Sequence, residues 1–283
     1  MQRRADGTTL AQLAILVPIT LLSLAVVLAI AQSVFGLAFG WGITLAWLAA
    51  GLLVMHRPTE RLLAARLFKL RKPTPQEFDY LAPIWKEIAR RAEIDATNYE
   101  LWIEKSDDIN AFASAGHIVA VSERALRTLP PGQLAGVLAH ELGHHMGGHS
   151  WAAVLTVWYS LPARLVYHLA RLVIAALGYV VARTRSCFLG VILLSVLTVA
   201  AVYAIVFLPV IVGPYLLAWL GRRSELRADR KAAELGFAPT LIAVLRDYDQ
   251  DEDQETTGGL LATHPSPAKR IQRLEAAMRP AAV

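Results

Sequence analysis

His140-Glu141-Leu142-Gly143-His144 is an H-E-x-x-H pentad. On a helix, the i, i+4 spacing stacks both imidazoles on one face, one turn apart, where they can share a metal ion. Glu141 then projects beside His140, placed to take a proton from water held at the metal and to pass it to a leaving amine. Nitrogen and carboxylate donors in an open tetrahedral site suit zinc, Zn2+, which lowers the pKa of its water to about 7. With 8 histidines in the chain, chance alone would produce the pentad in roughly one such sequence in a hundred. His145 and His149 make a second i, i+4 pair, but no glutamate follows the first of them. They are read as flanking residues. The longer three-histidine pattern fails because Ser150 stands where its last histidine belongs.

A third ligand must come from elsewhere, and Ser224-Glu225-Leu226-Arg227-Ala228-Asp229 offers one. Glu225 and Asp229 share a helical face. Glu225 as ligand, with Asp229 one turn later orienting a ligand histidine through its free N–H, satisfies what such centres require. An ordinary charged helix face, with Glu225 paired to an arginine, is the alternative; the pentad upstream weighs against it.

These groups are set in an apolar chain of 283 residues, 55% hydrophobic and 18% charged, with a mean hydropathy of +0.42. That balance excludes a purely water-soluble protein, and disordered, collagen-like and disulfide-scaffold classes with it. Cys187 is the one cysteine, so no intrachain disulfide forms. Between Asp6 and Arg57 the sole ionisable side chain is His56. As a single helix this stretch would reach about 75 Å at ~1.5 Å per residue, against a hydrocarbon core of ~30 Å, so it must cross, turn and cross back. Two more apolar segments follow, Trp151 to Ala182 and Ser186 to Leu220. Within the first, Arg164, His168 and Arg171 fall at i, i+4 and i+7. They suit an inward, groove-lining or headgroup-level face, a role in substrate passage, or a helix that enters the membrane only in part.

The net charge of +5 does not imply a nucleic-acid partner, because the basic residues form no aromatic-interleaved groove. They gather at the ends of the apolar segments: Arg3 and Arg4; Arg57, Arg61, Arg66, Lys69, Arg71 and Lys72; Arg222, Arg223, Arg227, Arg230 and Lys231. The loop from Gln32 to Trp41 has none. By the positive-inside rule the N-terminus, the segment after His56 and the C-terminal segment face the cytoplasm. Arg3-Arg4 and Ala29-Ile30-Ala31 also fit a cleavable signal peptide, which would leave the remaining topology unchanged. Two apolar segments separate His144 from Glu225, an even number of crossings, so both parts of the proposed site face the same side.

The rest of the chain must position them. The sequence divides into an N-terminal transmembrane hairpin (8–56), a first catalytic part (57–150), a second transmembrane hairpin (151–220) and a second catalytic part (221–283). Pro75 to Arg91, with Phe78, Leu81, Ile84, Trp85 and Ile88 at helical spacing, predicts an amphipathic helix. Tyr99 to Glu104, Asn110 to Gly116 and His117 to Ser122 read as strands of a small antiparallel sheet. Pro130-Pro131-Gly132 opens a helix that carries the pentad to about His149. The acidic run from Asp247 to Glu255 reads as a solvated loop.

The order of these pieces resembles the HtpX-like membrane metallopeptidases, relatives of the CAAX prenyl protease and of the mitochondrial quality-control protease Oma. The resemblance rests on two N-terminal spans, Asn110-Ala111-Phe112-Ala113, the pentad, two further spans, Ser224 to Asp229, and Thr263-His264-Pro265-Ser266. It implies a mainly α membrane protein of about four transmembrane helices, with a cytosolic α+β gluzincin-type metalloprotease domain in the cytoplasmic membrane. It further implies one Zn2+ held by His140, His144 and Glu225, Glu141 as the base, and protein substrates, membrane proteins among them. The strand Asn110, Ala111, Phe112, Ala113 would border the cleft, where an extended substrate adds as a strand. His264, and more weakly Arg270, would stabilise an oxyanion or position substrate. A membrane sensor built on a protease-like domain and a non-enzymatic scaffold are the competing readings.

Overall fold

The computed structural model describes residues 7–53, 56–66, 69–107, 111–114, 117–147, 149–251 and 265–278. The chain forms two compact units. One comprises Met1–Ala11, Leu53–Val154 and Ala218–Val283, the other Gln12–Leu52 and Leu155–Leu217.

The second unit is built from the greater part of α1 (Gly7–Phe35), α2 (Leu37–Leu53) and α7 (His149–Thr184), and from α8 (Cys187–Glu234) up to Leu217; from Ala218 onward α8 belongs to the first unit. Three of them, α1, α7 and α8, are long and apolar enough to cross a membrane. A fourth span results if α2 is counted together with α3 (Arg57–Arg66). Gly36 links α1 to α2 with φ +80, a left-handed turn open to a residue without Cβ. The helices are joined by polar contacts suited to an apolar surround. Tyr159 donates from its hydroxyl to the Leu48 carbonyl at 2.7 Å. Trp158 Nε1 donates to the Trp47 carbonyl at 3.3 Å, and the Ala163 N–H to Ser23 Oγ at 3.2 Å.

Residues 12–52 and 155–217 contain no Asp or Glu. Arg164, His168 and Arg171 are exposed on α7, so the inward-facing reading of this polar face does not hold. Arg171 lies over the Tyr167 ring, 5.7 Å from its centroid.

In the first unit, α4 (Pro75–Arg91) begins where its sequence says it should. Thr74 caps it, accepting from the Glu77 N–H while Glu77 accepts from the Thr74 N–H, and Pro75 occupies the first turn. Leu81, Trp85 and Ile88 are buried. Phe78 departs from the predicted stripe, since it is 49% exposed.

The sheet comprises β1 (Leu70–Arg71), β2 (Glu100–Glu104), β3 (Ala111–Ser114) and β4 (Ile118–Ser122), in the order β1-β2-β4-β3. It is mixed, which corrects the antiparallel expectation: β4 pairs antiparallel with β3 but parallel with β2, Glu100 opposite Ile118 and Glu104 opposite Ser122. The reason lies in β4 itself, whose five residues are all buried. Such a continuous apolar strand is stable only with both faces and both edges covered, so β4 inserts between β2 and β3. Its Ile118 and Ala120 pack with Ala64, Leu70 and Trp102. Val119 and Val121 face the main core, with Leu81, Ile88 and Leu138.

That core also receives α6 (Pro131–Gly147), α9 (Ala238–Asp251) and α10 (Pro267–Met278), while α5 (Glu123–Thr128) follows β4 directly, capped by Ser122. On the other face of the sheet, the buried Glu60 of α3 accepts from the His117 N–H at 3.2 Å and lies 3.1 Å from His117 Nδ1.

Candidate active site

α6 carries the pentad, and its own sequence explains how closely a second helix approaches. A Cβ placed on Gly143 would come within 2.8 Å of Ala228 Cα. At that point the backbones of α6 and α8 nearly touch, which only glycine allows. Seven residues earlier, Gly136 gives α9 the same access: a Cβ there would lie 2.8 Å from the Leu241 nitrogen. Ala228 is flanked by Glu225 and Asp229 on α8, so the approach at Gly143 delivers both carboxylates to the face of α6 that bears His140 and His144.

The donors converge. His144 Nε2 lies 3.1 Å from Glu225 Oε1, and His140 Nε2 lies 3.5 Å from Glu225 Oε2. One ligand atom from each of His140, His144 and Glu225 falls within 4.8 Å of the others. Zinc bonds of ~2.0–2.1 Å in tetrahedral geometry put neighbouring donors about 3.3 Å apart. The spacing and chemistry of the three therefore fit one zinc-sized ion. The imidazoles stand edge to face, centroids 4.9 Å apart.

Each histidine is held from behind. His140 Nδ1 is 2.9 Å from Asp229 Oδ1, which fixes Nδ1–H and leaves Nε2 turned to Glu225. Ser224 Oγ lies 3.2 Å from His144 Nδ1 and does the same for the second ring. Burial opposes a charge on His140, but the Asp229 and Glu225 carboxylates outweigh it and hold the ring up at about 9. A cation entering the cluster must therefore displace a proton. Asp229 is drawn the other way: burial raises its carboxyl, yet His140 and Arg270 together bring it below the ordinary range. Burial is also the main influence on Glu141, pushing its carboxyl up against the attraction of His144 and His140.

Arg270, from α10, closes this cluster. Its Nε donates to Asp229 Oδ2 at 2.9 Å and its Nη2 to Asp229 Oδ1 at 2.6 Å, while Nη1 lies 3.5 Å from Glu225 Oε2. The guanidinium fork of Arg270, a residue the resemblance brought to the site for an oxyanion or substrate, is thus engaged with the carboxylate behind His140, a partner that no local spacing reveals. Ser224 was likewise visible only as part of a motif string.

The flanking histidines separate from the site. His145 is buried on the sheet side of α6, its Nε2 3.2 Å from the Ile118 carbonyl and its ring edge-on to Tyr99. Burial drives its pKa down to about 4. His149 begins α7. Of the predicted cleft strand, residues 111–114 form β3, one of the two edge strands of the sheet, and β3 lies against α6. Asn110 and His264 fall outside the described residues.

A protease HtpX homolog of Methylacidiphilum infernorum is 27% identical over 249 residues, covering 75% of this chain and 77% of its own. Protease HtpX of Idiomarina loihiensis is 25% identical over 228 residues, covering 73% and 75%. The crystal structure of S. mikatae Ste24p is similar at a TM-score of 0.48 and 18% identity, over 91% of this chain and 61% of that one. Residues 75–278, which contain both α6 and the carboxylate-bearing end of α8, match peptidase family M48, and the chain belongs to that family.

Proposed function

We propose that the protein is a membrane-bound zinc endopeptidase that cuts damaged or misfolded proteins, membrane proteins among them, with its site facing the cytoplasm. The observation that carries this reading is the convergence of His140, His144 and Glu225 at spacings suited to one zinc ion. Those three residues hold the metal. When bound, Zn2+ supplies Lewis acidity toward a scissile carbonyl and lowers the pKa of water.

The remaining steps belong to the chain. Glu141 takes the proton of the attacking water and gives it to the departing amine nitrogen. A carboxyl lifted by burial is suited to both halves of that transfer, because its pKa moves toward the working pH. Asp229 and Ser224 fix the ring faces of His140 and His144 so that neither rotates as charge changes at the site. An extended substrate adds to the outer edge of β3 by main-chain hydrogen bonds, a mode that reads backbone more than side chains and suits unfolded chains of varied sequence. The assignments of Asn110 to the rim of this edge and of His264 to the oxyanion rest on the family resemblance. The cytoplasmic orientation is supported by the basic residues after His56 and after Leu220. The relatives named protease HtpX support cleavage of peptide bonds.

The test is incubation of the detergent-solubilised protein with an unfolded casein-like substrate, with and without a chelator, beside Glu141→Gln. Cleavage that needs zinc and disappears in the variant is expected. Cleavage by a chelator-treated, metal-free sample would overturn the reading.

A further inference from the structure

The contacts of Arg270 go beyond an ordinary ion pair. Its side chain is 12% exposed, and Asp229's is 2% exposed. A carboxylate so removed from water needs several donors to remain charged and still. Asp229 has three in view: two from the Arg270 fork at 2.9 and 2.6 Å, and His140 Nδ1 at 2.9 Å. The fork occupies both carboxylate oxygens and so fixes the plane of the group, which a single-point donor cannot do. Oδ1, the oxygen that faces His140, is one of the two it grips.

Arg270 in turn is anchored by its helix. Leu274, one turn later on α10, is 1% exposed in the main core, and Glu275 pairs with Arg246 of α9 at 2.7 Å.

We propose that Arg270 is a positioning residue for the metal centre, acting through Asp229 to hold His140 with Nε2 presented to the ion, so that packing of α10 completes the zinc site. This deepens the zinc-peptidase reading and rests on it. Two effects of the guanidinium oppose each other, and they can be separated. As a nearby positive charge it repels a divalent cation, so its removal would tighten zinc binding. As the clamp on Asp229 it preorganises a ligand, and loss of such outer partners weakens metal binding by about 10–100-fold. The contact to Asp229 is short and two-pronged, at 2.9 and 2.6 Å, whereas the approaches to the ligands are longer, 3.5 Å to Glu225 Oε2 and 3.3 and 3.5 Å to His140 Nδ1 and Nε2; the clamp therefore dominates.

The experiment measures zinc affinity of the full-length protein in detergent, by competition with a chromophoric chelator, for wild type, Arg270→Gln, Arg270→Lys, Asp229→Asn and the Asp229→Asn/Arg270→Gln pair. Thermal melting of each metal-free sample runs alongside. Arg270→Gln is expected to weaken zinc binding about 10–100-fold, and Arg270→Lys, which keeps the charge but not the fork, to recover only part of that. The double variant should bind no more weakly than Asp229→Asn alone, because the arginine acts through that carboxylate. Unchanged or tighter zinc binding in Arg270→Gln overturns the proposal, as do additive losses in the double variant. So does a loss in Arg270→Lys that merely follows a fall in the melting temperature of the metal-free sample. Wild type that binds no zinc would overturn the metal-site reading itself, whereas tight wild-type binding matched by Arg270→Gln would overturn this proposal alone.

Discussion

Gly143 and Ala228 meet backbone to backbone: a Cβ on the glycine would lie 2.8 Å from the alanine Cα and 3.1 Å from its carbonyl oxygen. This contact sets the distance between the helix bearing two imidazoles and the helix bearing the third donor. Gly143→Ala must separate α6 from α8 or distort one of them, since backbone cannot yield as a flexible side chain does. A loss of about 1–3 kcal/mol in stability is expected from this overpacking. Zinc affinity should fall by more than that loss explains, because donors spaced 3.1 and 3.5 Å apart move together with the helices. Chemical denaturation and metal competition on the same sample check it; full zinc affinity in the alanine variant would sink the argument.

Glu141→Gln keeps the shape of the side chain and removes its capacity to accept a proton. Zinc content is expected to match wild type, while turnover of an unfolded substrate drops by roughly 10²–10⁴-fold. Metal analysis and cleavage rate decide the matter, and a glutamine variant that cleaves at the wild-type rate would remove Glu141 from its role.

Ser224→Ala deletes the oxygen 3.2 Å from His144 Nδ1 and leaves a ring with less to hold its orientation. Zinc binding is expected to weaken about tenfold, the lower end of what such outer partners contribute, with the fold intact because the change is small. An affinity indistinguishable from wild type would show that the hydroxyl has no part in fixing the ring.

The pH dependence of stability has a source away from the metal. Arg71 bonds Glu77 at 2.7 Å and Glu123 at 2.8 Å, and its guanidinium is the main reason the Glu77 carboxyl drops to about 2. A carboxyl whose folded pKa lies below its unfolded value stabilises the fold above the unfolded pKa, and that contribution is lost as pH falls through the folded one. The window here runs from about 4.5 down to about 2. After screening at this partly exposed position, about 1 kcal/mol is expected to disappear across it. Glu77→Gln should flatten the stability profile over that window and cost stability at neutral pH. Denaturation midpoints taken from pH 5 to pH 2.5 test this, and equal slopes for variant and wild type would refute it.

Much of the site was legible in one dimension because helices convert spacing into position. The i, i+4 pair His140 and His144, and Glu225 with Asp229 at the same interval, were already on common faces before any fold was known. The membrane-length segments and the α4 boundaries were equally local, since they depend on a run of apolar residues and on Thr74, Pro75 and Glu77 within a single turn.

What the sequence by itself determined, then, is what is encoded within one helix or one strand: the donor types, their periodicity and the lengths of the apolar segments. The tertiary structure alone decided how separate elements meet. The parallel pairing of β2 with β4 depends on which strand ends up central. The outward placement of Arg164, His168 and Arg171 depends on which face of α7 packs on its neighbours. The grip of Arg270 on Asp229 joins residues 41 positions apart, and that of Ser224 on His144 spans 80. Such long-range contacts follow from the sum of many packing choices made elsewhere, and no local spacing rule records them.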